Sequence, residues 1–181
     1  MALNGSEVVI AGSGNVYVAP VGTAFPSAFA APGAGWSELG FLNEDGVQVT
    51  PALESTDIMA WQSMYAVRTS ITSRSLTFTV TFLQWNEVIL PLAMGGGTIT
   101  GAGPYTFAPA TSGTVDERAM LLHWIDGTKQ YRMPLPRIMA VDLGAFSLNR
   151  SNAAGLTVGF RMLQPASGDP FDIITDDPAF A

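Results

Sequence analysis

The sequence predicts a mainly β fold, a β-sandwich or barrel with one short flanking α-helix. The residues from Ser75 to Phe82 alternate strictly between apolar and hydroxyl side chains, and a period of two is typical of a strand with one buried face. Short segments of similar character recur between turn residues, and 19 Gly and 12 Pro favour strands and turns over long helices. The apolar face holds Leu76, Phe78, Val80 and Phe82, and the hydroxyl face holds Ser75, Thr77, Thr79 and Thr81.

The amino-acid composition limits the classes of protein to which this chain can belong. A chain of 181 residues fits one domain, residues 1–181, with a sizeable core. Charged residues make up only 13% of the chain, against about 25% in ordinary soluble domains, so burial of further surface in an assembly is expected. A net charge of −7 counts against a protein that grips nucleic acid. Zero Cys excludes disulfides and thiolate metal sites.

The first third of the chain predicts an arm, two strands and a long irregular segment. Residues 1–14 read as an N-terminal arm, and strands are expected at residues 15–21 and 36–42, on either side of an Ala/Pro/Gly-rich loop. Glu44-Asp45-Gly46 is a turn signal. Val47 and Val49 then alternate with Gln48 and Thr50, and Pro51 disfavours a central strand beyond that point. Residues 51–67 carry large apolar residues without a clear period and are predicted to form a structured loop or a partner-binding one.

The rest of the chain predicts one helix, two strand pairs and a tail. Asn86 is a suitable N-cap for a helix over residues 87–94, which Pro91 should shorten or bend. Loop is expected from residue 95 to 113. Strands 119–125 and 130–135 flank Asp126-Gly127, a hairpin signal with a lengthened turn, and strands 138–148 and 156–163 form the last pair. Residues 165–181 read as a C-terminal arm.

Candidate catalytic groups are few. His123 is the only histidine, lies in an apolar strand and cannot form a His-based metal site or a serine triad by pattern. Gly12-Ser13-Gly14 lacks the third glycine and the helix of a dinucleotide loop. Three carboxylate pairs, Glu44-Asp45, Asp116-Glu117 and Asp176-Asp177, fall in turns or the tail, where solvated charge is the ordinary explanation. We therefore expect no enzyme, no cofactor and no metal. Neither a signal peptide nor a membrane-spanning run of ~20 apolar residues is expected.

Six segments, which together cover about half of the chain, occur in a characteristic order. They are GNVYVAPVGT (14–23), GWSELG (35–40), NEDGV (43–47), ESTDI (54–58), AWQS (60–63) and the strand–helix unit 75–97. In these segments the chain resembles the major tail tube proteins of long-tailed bacteriophages, especially those with flexible, non-contractile (siphovirus-type) tails that infect high-GC Gram-positive hosts. Pro91 departs from the pattern expected of the helix and leaves the helix length open.

The resemblance implies a virion protein, assembled in the host cytoplasm, that forms stacked hexameric rings in the tail. The implied partners are further copies of itself, the tape measure, the tail terminator, the tail-tip or baseplate proteins, and phage DNA that passes non-specifically through the lumen. The loop 43–67 would stack on the next ring, with apolar anchors of the kind that interface centres favour; both terminal arms would add contacts. The anchors are Met59, Trp61, Met64 and Tyr65, and the lumen-facing residues would be Thr77, Thr79 and Thr81.

Two alternatives remain open. A β-sandwich binding module, such as a tail-tip or carbohydrate-recognition domain, would present an exposed aromatic platform. A hydrolase with an unrecognised carboxylate pair is the weaker alternative. The platform could be supplied by Trp36, Trp61, Trp85 or Trp124.

Overall fold

The computed structural model describes residues 4–111, 113, 116–146 and 148–180. Predictions that fall on residues 1–3 and 181 of the two arms, on residue 112 of the loop 95–113, and on residue 147 lie outside these ranges. The described chain is 51% strand and 6% helical, which confirms a mainly β sandwich-type fold with one short helix. Its elements are β1 (Ser13–Pro20), β2 (Ser37–Glu38), β3 (Leu42–Met59), β4 (Ala66–Phe82), α1 (Ile89–Ala93), β5 (Gly97–Thr100), β6 (Thr106–Pro109), β7 (Glu117–Asp126), β8 (Lys129–Leu143), β9 (Leu156–Met162) and β10 (Ile174–Thr175).

One antiparallel sheet carries most of the fold. Its strands follow the order β2-β1-β7-β8-β9-β4-β3, with β10 added beside β8, while β5 and β6 form a separate small hairpin. The sheet curls until its two ends meet. Leu39 donates its N–H to the Val16 carbonyl (2.9 Å), and Leu83 donates to the Phe41 carbonyl (2.9 Å). The short run that follows β2 therefore bonds to β1 on one side and to the end of β4 on the other, which closes the sheet like a barrel at this point.

The strand predicted from alternation is the C-terminal part of β4, and its faces are as predicted. Leu76, Phe78, Val80 and Phe82 are buried. They pack with residues of the other central strands, among them Leu122, Leu135, Val158 and Phe160, in a single core cluster. The alternating pattern arises because this part of β4 is paired on both edges and covered on one face only.

Helix α1 covers part of this core. The Asn86 carbonyl accepts the first helical bond, from Leu90 N–H (3.1 Å), and the Asn86 side-chain oxygen accepts bonds from the N–H groups of Val88 (2.9 Å) and Ile89 (2.8 Å). Asn86 thus performs the predicted capping function. The helix is only five residues long, as expected from Pro91, whose ring removes a backbone donor.

The β7–β8 hairpin is tighter than predicted. Asp126 pairs directly with Lys129, so the turn has two central residues and no lengthening. Gly127 takes a positive φ of 59°, a conformation that glycine adopts at low cost and two-residue hairpins require. Beyond this turn β8 continues without a break through Pro136 to Leu143, so the two strands predicted at 130–135 and 138–148 are one long strand.

The Ala/Pro/Gly-rich loop covers the part of the second face around Arg132. Arg132, a buried residue of β8, donates hydrogen bonds from its two terminal nitrogens to the carbonyls of Ala28 (2.8 Å), Ala30 (2.7 Å) and Phe29 (3.2 Å). Its Nε is buried without a partner in the described residues, and a buried guanidinium is costly unless hydrogen bonds such as these compensate it. Arg132 therefore holds residues 28–30 against the sheet.

Three sequence predictions were wrong in their local structure. The predicted strand 36–42 is a strand only at Ser37–Glu38 and again from Leu42, because its middle residues bond to two different strands. Part of the predicted loop 95–113 forms the β5–β6 hairpin. The segment 43–67 is mostly not a loop, since β3 runs to Met59 and pairs with β4 up to Ala66. Pro51 is tolerated in β3 because β3 is an edge strand.

Candidate assembly interface

The β3–β4 hairpin projects from the barrel. β4 pairs with β9 only from Thr77 to Phe82, so residues 66–76 have β3 as their only strand neighbour over roughly 36 Å of length. Along this part nearly every residue of both strands is exposed. Since an isolated two-stranded hairpin is marginally stable in water, the projecting part is a candidate surface for contact with another molecule.

The hairpin tip brings together the four predicted anchors. Exposure is 100% for Trp61, 94% for Met64, 84% for Tyr65 and 59% for Met59. Ser63 shapes the turn, because its hydroxyl donates to the Tyr65 carbonyl (2.9 Å) and accepts from the Tyr65 N–H (3.2 Å). All four anchors lie outside the monomer core, and they form an exposed apolar cap on the hairpin.

Apolar residues also continue the core face along the hairpin. Val49 lies opposite the buried Phe78, and Leu53 follows it on the same face of β3. A β-bulge between Glu54 and Ser55 brings Ile71 onto this face. Val49, Leu53 and Ile71 are all exposed. The core therefore extends as an uncovered stripe toward the tip.

The three predicted lumen threonines lie on the opposite face of the sheet, away from the core. Thr77 donates to the Thr50 carbonyl (3.3 Å), and the hydroxyls of Thr81 and Thr157 hydrogen-bond to each other at 2.8 Å. Thr79 is exposed and lies between Gln48 on β3 and Gly159 on β9. This face is polar, and it carries charges of both signs near the threonines, since Arg161 lies opposite Thr77 on β9 and Asp142 lies opposite Gly159 on β8.

The four tryptophans do not form one platform. Trp36 donates to the Ala24 carbonyl (3.0 Å) and packs on Phe25. Trp85 donates to the Ala154 carbonyl (2.6 Å), and Trp124 stacks on Tyr131 with ring centroids 5.4 Å apart. Only Trp61 is fully exposed, so the predicted aromatic surface is a single residue at the hairpin tip.

His123 occupies a structural position. It lies on β7, and burial together with the neighbouring positive charge of Arg132 lowers its pKa. Its Nε2 is buried without a hydrogen-bond partner in the described residues. Within those residues, no group of three His, Cys, Asp or Glu side chains is placed to hold a metal ion.

The two carboxylates of the pair Asp116-Glu117 are engaged in separate ion pairs. Glu117 forms a two-bond ion pair with Arg137 (2.7 and 2.8 Å), and the hydrogen bonds from Arg137 lower the pKa of Glu117. Asp116 contacts Arg118 at 2.8 Å. These ion pairs hold neighbouring strands and turns together.

The whole chain matches a known protein family. A family model described as phage tail tube protein covers residues 1–181. The chain belongs to the phage tail tube protein family. Among curated proteins no match was found. Membership indicates a structural protein of the virion tail that self-assembles into a tube together with other tail proteins. None of the helices in the described ranges has the length and apolar character needed to cross a membrane.

The sequence singled out the residues at the hairpin tip of this tail tube subunit, but it did not predict the two long strands that carry the tip. The strands that carry the tip are exposed on both faces, so most of their length shows no alternation. Val49, Leu53 and Ile71 were also missed as an apolar stripe. The even spacing of Val47, Val49 and Leu53 on β3 could have revealed two of them, whereas Ile71 reaches this face only because of the bulge.

Proposed function

We propose that this chain is the repeating subunit of a non-contractile, siphovirus-type tail tube, in which hexameric rings stack into the conduit for genome delivery. The observation that carries the proposal, beside the family match, is the projecting β3–β4 hairpin with its exposed tip. A long arm at one place on the subunit and its receptor at another form a head-to-tail contact, and such a contact generates open stacks when it does not close on itself. The ring of six copies follows from the resemblance described above.

Met59, Trp61, Met64 and Tyr65 are the proposed contacts between rings. Large aromatic and Met side chains are enriched at interface centres, and a few of them carry most of the binding free energy. The uncovered stripe of Val49, Leu53 and Ile71 gives the neighbour further apolar surface to bury. Contact along the hairpin would also protect its exposed strand edges from unspecific pairing.

Thr77, Thr79 and Thr81 are the proposed lumen residues. The three hydroxyls carry no cationic charge, and the neighbouring Arg161 is accompanied by Asp142 on the same face, so this surface offers little net positive charge to replace the counterions of DNA. The net charge of −7 per chain acts in the same direction. DNA would then slide through the tube without being held. Contacts with the tape measure, the terminator and the tail-tip proteins belong to the same proposal, as does assembly in the host cytoplasm.

Negative-stain electron microscopy of the purified full-length chain tests the proposal. Rings or tubes of uniform bore are expected, either spontaneously or after addition of a tail-tip initiator complex. A protein that stays monomeric at high concentration, even with the initiator, would contradict the proposed function.

A further inference from the structure

The methionines at the hairpin tip differ from the other methionines that the structure describes. Met64 is 94% exposed and Met59 is 59% exposed, whereas Met120 and Met133 are buried in the core. The remaining methionines in the described ranges are half-buried, and one of them, Met162, packs against the core. The two exposed thioethers therefore both lie on the surface proposed for the stacking contact.

The local structure keeps both thioethers accessible. Met59 ends β3 and lies opposite Ala66, whose methyl side chain is too small to cover it. Met64 lies beyond this last strand pair, within the turn that the two hydrogen bonds between Ser63 and Tyr65 shape. Neither methionine belongs to the core cluster, so a chemical change at either sulfur leaves the packing of the subunit intact.

Exposure makes a thioether reactive toward peroxides. The sulfur lone pair attacks one oxygen of hydrogen peroxide, an S–O bond forms as the O–O bond breaks, and the second oxygen leaves as water with both protons of the peroxide. Sulfur loses two electrons and the peroxide gains them, so the products are methionine sulfoxide and water. The chain contains no cysteine, whose thiolate would otherwise compete for the oxidant.

A sulfoxide changes the surface on which stacking depends. It replaces a flexible apolar group by a polar, chiral one that accepts hydrogen bonds. A contact that buries the tip would then have to remove water from the S–O dipole without offering it a hydrogen-bond donor in return, which opposes binding. Oxidation of the tip therefore acts on association between subunits and not on the fold of the subunit.

We propose that Met59 and Met64 are sites of reversible oxidation by peroxides, and that their sulfoxides prevent the free subunit from joining the tube. The proposal rests on the proposed stacking function of the tip and gives that surface a chemical control. Stacking removes both sulfurs from solution, so a peroxide acts on free subunits and on the ring whose tips are still uncovered. Reduction of the sulfoxides back to methionine restores the ability to stack.

Peptide mapping by mass spectrometry tests the two sites. The purified full-length subunit is treated with dilute hydrogen peroxide, and catalase stops the reaction. Met59 and Met64 should each gain one oxygen several-fold faster than the core residues Met120 and Met133, because susceptibility follows exposure. Equal rates at all four positions would overturn the assignment of the sites. In preformed tubes the tip residues should react more slowly than in free subunits, and equal rates there would show that stacking does not cover them.

Assembly measurements test the effect of the sulfoxides. Oxidised subunits should show a critical concentration for tube assembly that is raised roughly 10-fold or more, since a buried polar group without a partner weakens a contact on that scale. Treatment with methionine sulfoxide reductases A and B, one for each sulfoxide epimer, should return it toward the untreated value. The temperature of thermal unfolding should stay unchanged; a fall would place the damage in the core and contradict a surface effect.

Leucine variants identify the methionines that are responsible. Leucine is close to methionine in volume and has no sulfur to oxidise. In the double variant Met59→Leu/Met64→Leu, peroxide should no longer change the critical concentration. The matched control Met139→Leu/Met162→Leu replaces two half-buried methionines and should remain as sensitive to peroxide as the unmodified chain. Each protein is compared with its own untreated sample, so any effect of leucine on stacking itself cancels.

The combined results separate this proposal from the tube function. Loss of assembly after peroxide in the unmodified chain and in the control, but not in the tip variant, supports it. Selective oxidation of the tip without a change in assembly, or equal loss of assembly in the tip variant, overturns it and leaves the tube function standing. Absence of tubes from the untreated chain, with its initiator present, overturns the tube function and the proposed effect on assembly together, while the peptide map still decides the sites.

Discussion

The Tyr131 hydroxyl donates a hydrogen bond of 2.6 Å to the carboxylate of Asp177. Lys129 contacts the same carboxylate oxygen at 2.9 Å, and the Asp177 side chain is almost fully buried. Together with the pairing of β10 on β8, these bonds fasten the C-terminal segment to its own subunit. Whether residues 165–181 also contact a neighbour, as the predicted arm would, stays a prediction.

Acid should release this segment. The hydrogen bond from Tyr131, followed by those from Ala179 N–H and Lys129, lowers the pKa of Asp177 from 3.8 to about 2. A lowered pKa contributes stability that is present above 3.8 and is lost as the pH falls toward 2. Pepsin cleavage after residue 165 should therefore accelerate between pH 4 and pH 2.

Asp177→Asn should give rapid cleavage already at pH 4, because it removes the charge that Lys129 and Tyr131 contact. The exposed Asp169→Asn variant is the control and should behave like the unmodified chain. Equal cleavage of all three proteins across this range would show that Asp177 does not fasten the segment.

High pH should weaken the same Tyr131–Asp177 hydrogen bond. The hydrogen bond to Asp177, burial and the negative charge of Asp177 raise the pKa of Tyr131 to about 12. A raised pKa contributes stability that is present below the ordinary value of 10.0 and is lost as the pH rises toward 12. Tyrosinate absorbance should show one residue that titrates late. Tyr131→Phe should remove that late component; if the component persists, it belongs to another tyrosine.

Trp61→Ala should leave a folded subunit that stacks poorly. Because Trp61 is fully exposed, its loss should change the free energy of unfolding by less than about 0.5 kcal/mol. Loss of a central interface anchor costs about 2 kcal/mol, or roughly a 30-fold rise in the critical concentration for tube assembly. Sedimentation and electron microscopy measure the second effect. The exposed Tyr105→Ala is the control, and normal assembly of the Trp61 variant would refute the stacking function of the tip.

Thr79→Arg should slow DNA passage without preventing tube assembly. The position is exposed, and one added guanidinium per subunit would add to the positive charge of the neighbouring Arg161 and attract phosphates around the channel. Infectivity and the rate of genome ejection are the measurements, made in phage that carry the variant tail. Thr79→Gln, a neutral side chain of comparable reach, is the control. If DNA is ejected through variant tubes at the unmodified rate, Thr79 does not face the lumen.

Arg132→Met should destabilise the subunit itself. The substitution leaves the three carbonyls at residues 28–30 without their donor, at a cost on the order of 3 kcal/mol. Thermal unfolding should show the loss, with increased proteolysis in the loop. Arg161→Met, at an exposed position, is the control. An unchanged unfolding temperature for the Arg132 variant would mean that the loop is held by other contacts.

The parts of the fold that were predicted correctly are those with one buried and one exposed face. Leu76 to Phe82 shows the clean alternation that such an environment imposes. Asn86 and the Asp126-Gly127 turn were found because capping and turn chemistry are local. The shortness of α1 was anticipated from Pro91 for the same reason.

The parts that sequence could not predict depend on long-range pairing. The strands of the projecting hairpin carry both polar and apolar residues on each face. They are recognised as strands only by the backbone hydrogen bonds between β3 and β4. β2 is only two residues long, which no local pattern around Ser37 reveals. The four tip residues were chosen from residue type and from the resemblance of segment 43–67, whereas their exposed position on a projecting hairpin required the structure. Their contact with another ring stays a prediction.

The hydrogen bonds from Arg132 to residues 28–30 have a consequence for how the sequence of this loop can evolve. Its hydrogen bonds all go to main-chain carbonyls, which every amino acid possesses. Natural variation can therefore replace the side chain at Ala30 while the course of the loop over the sheet is preserved, whereas Ala28, at a positive φ of 40°, restricts which side chains fit there. Among related phages, this loop should diverge in sequence faster than in shape, with the arginine as its invariant counterpart.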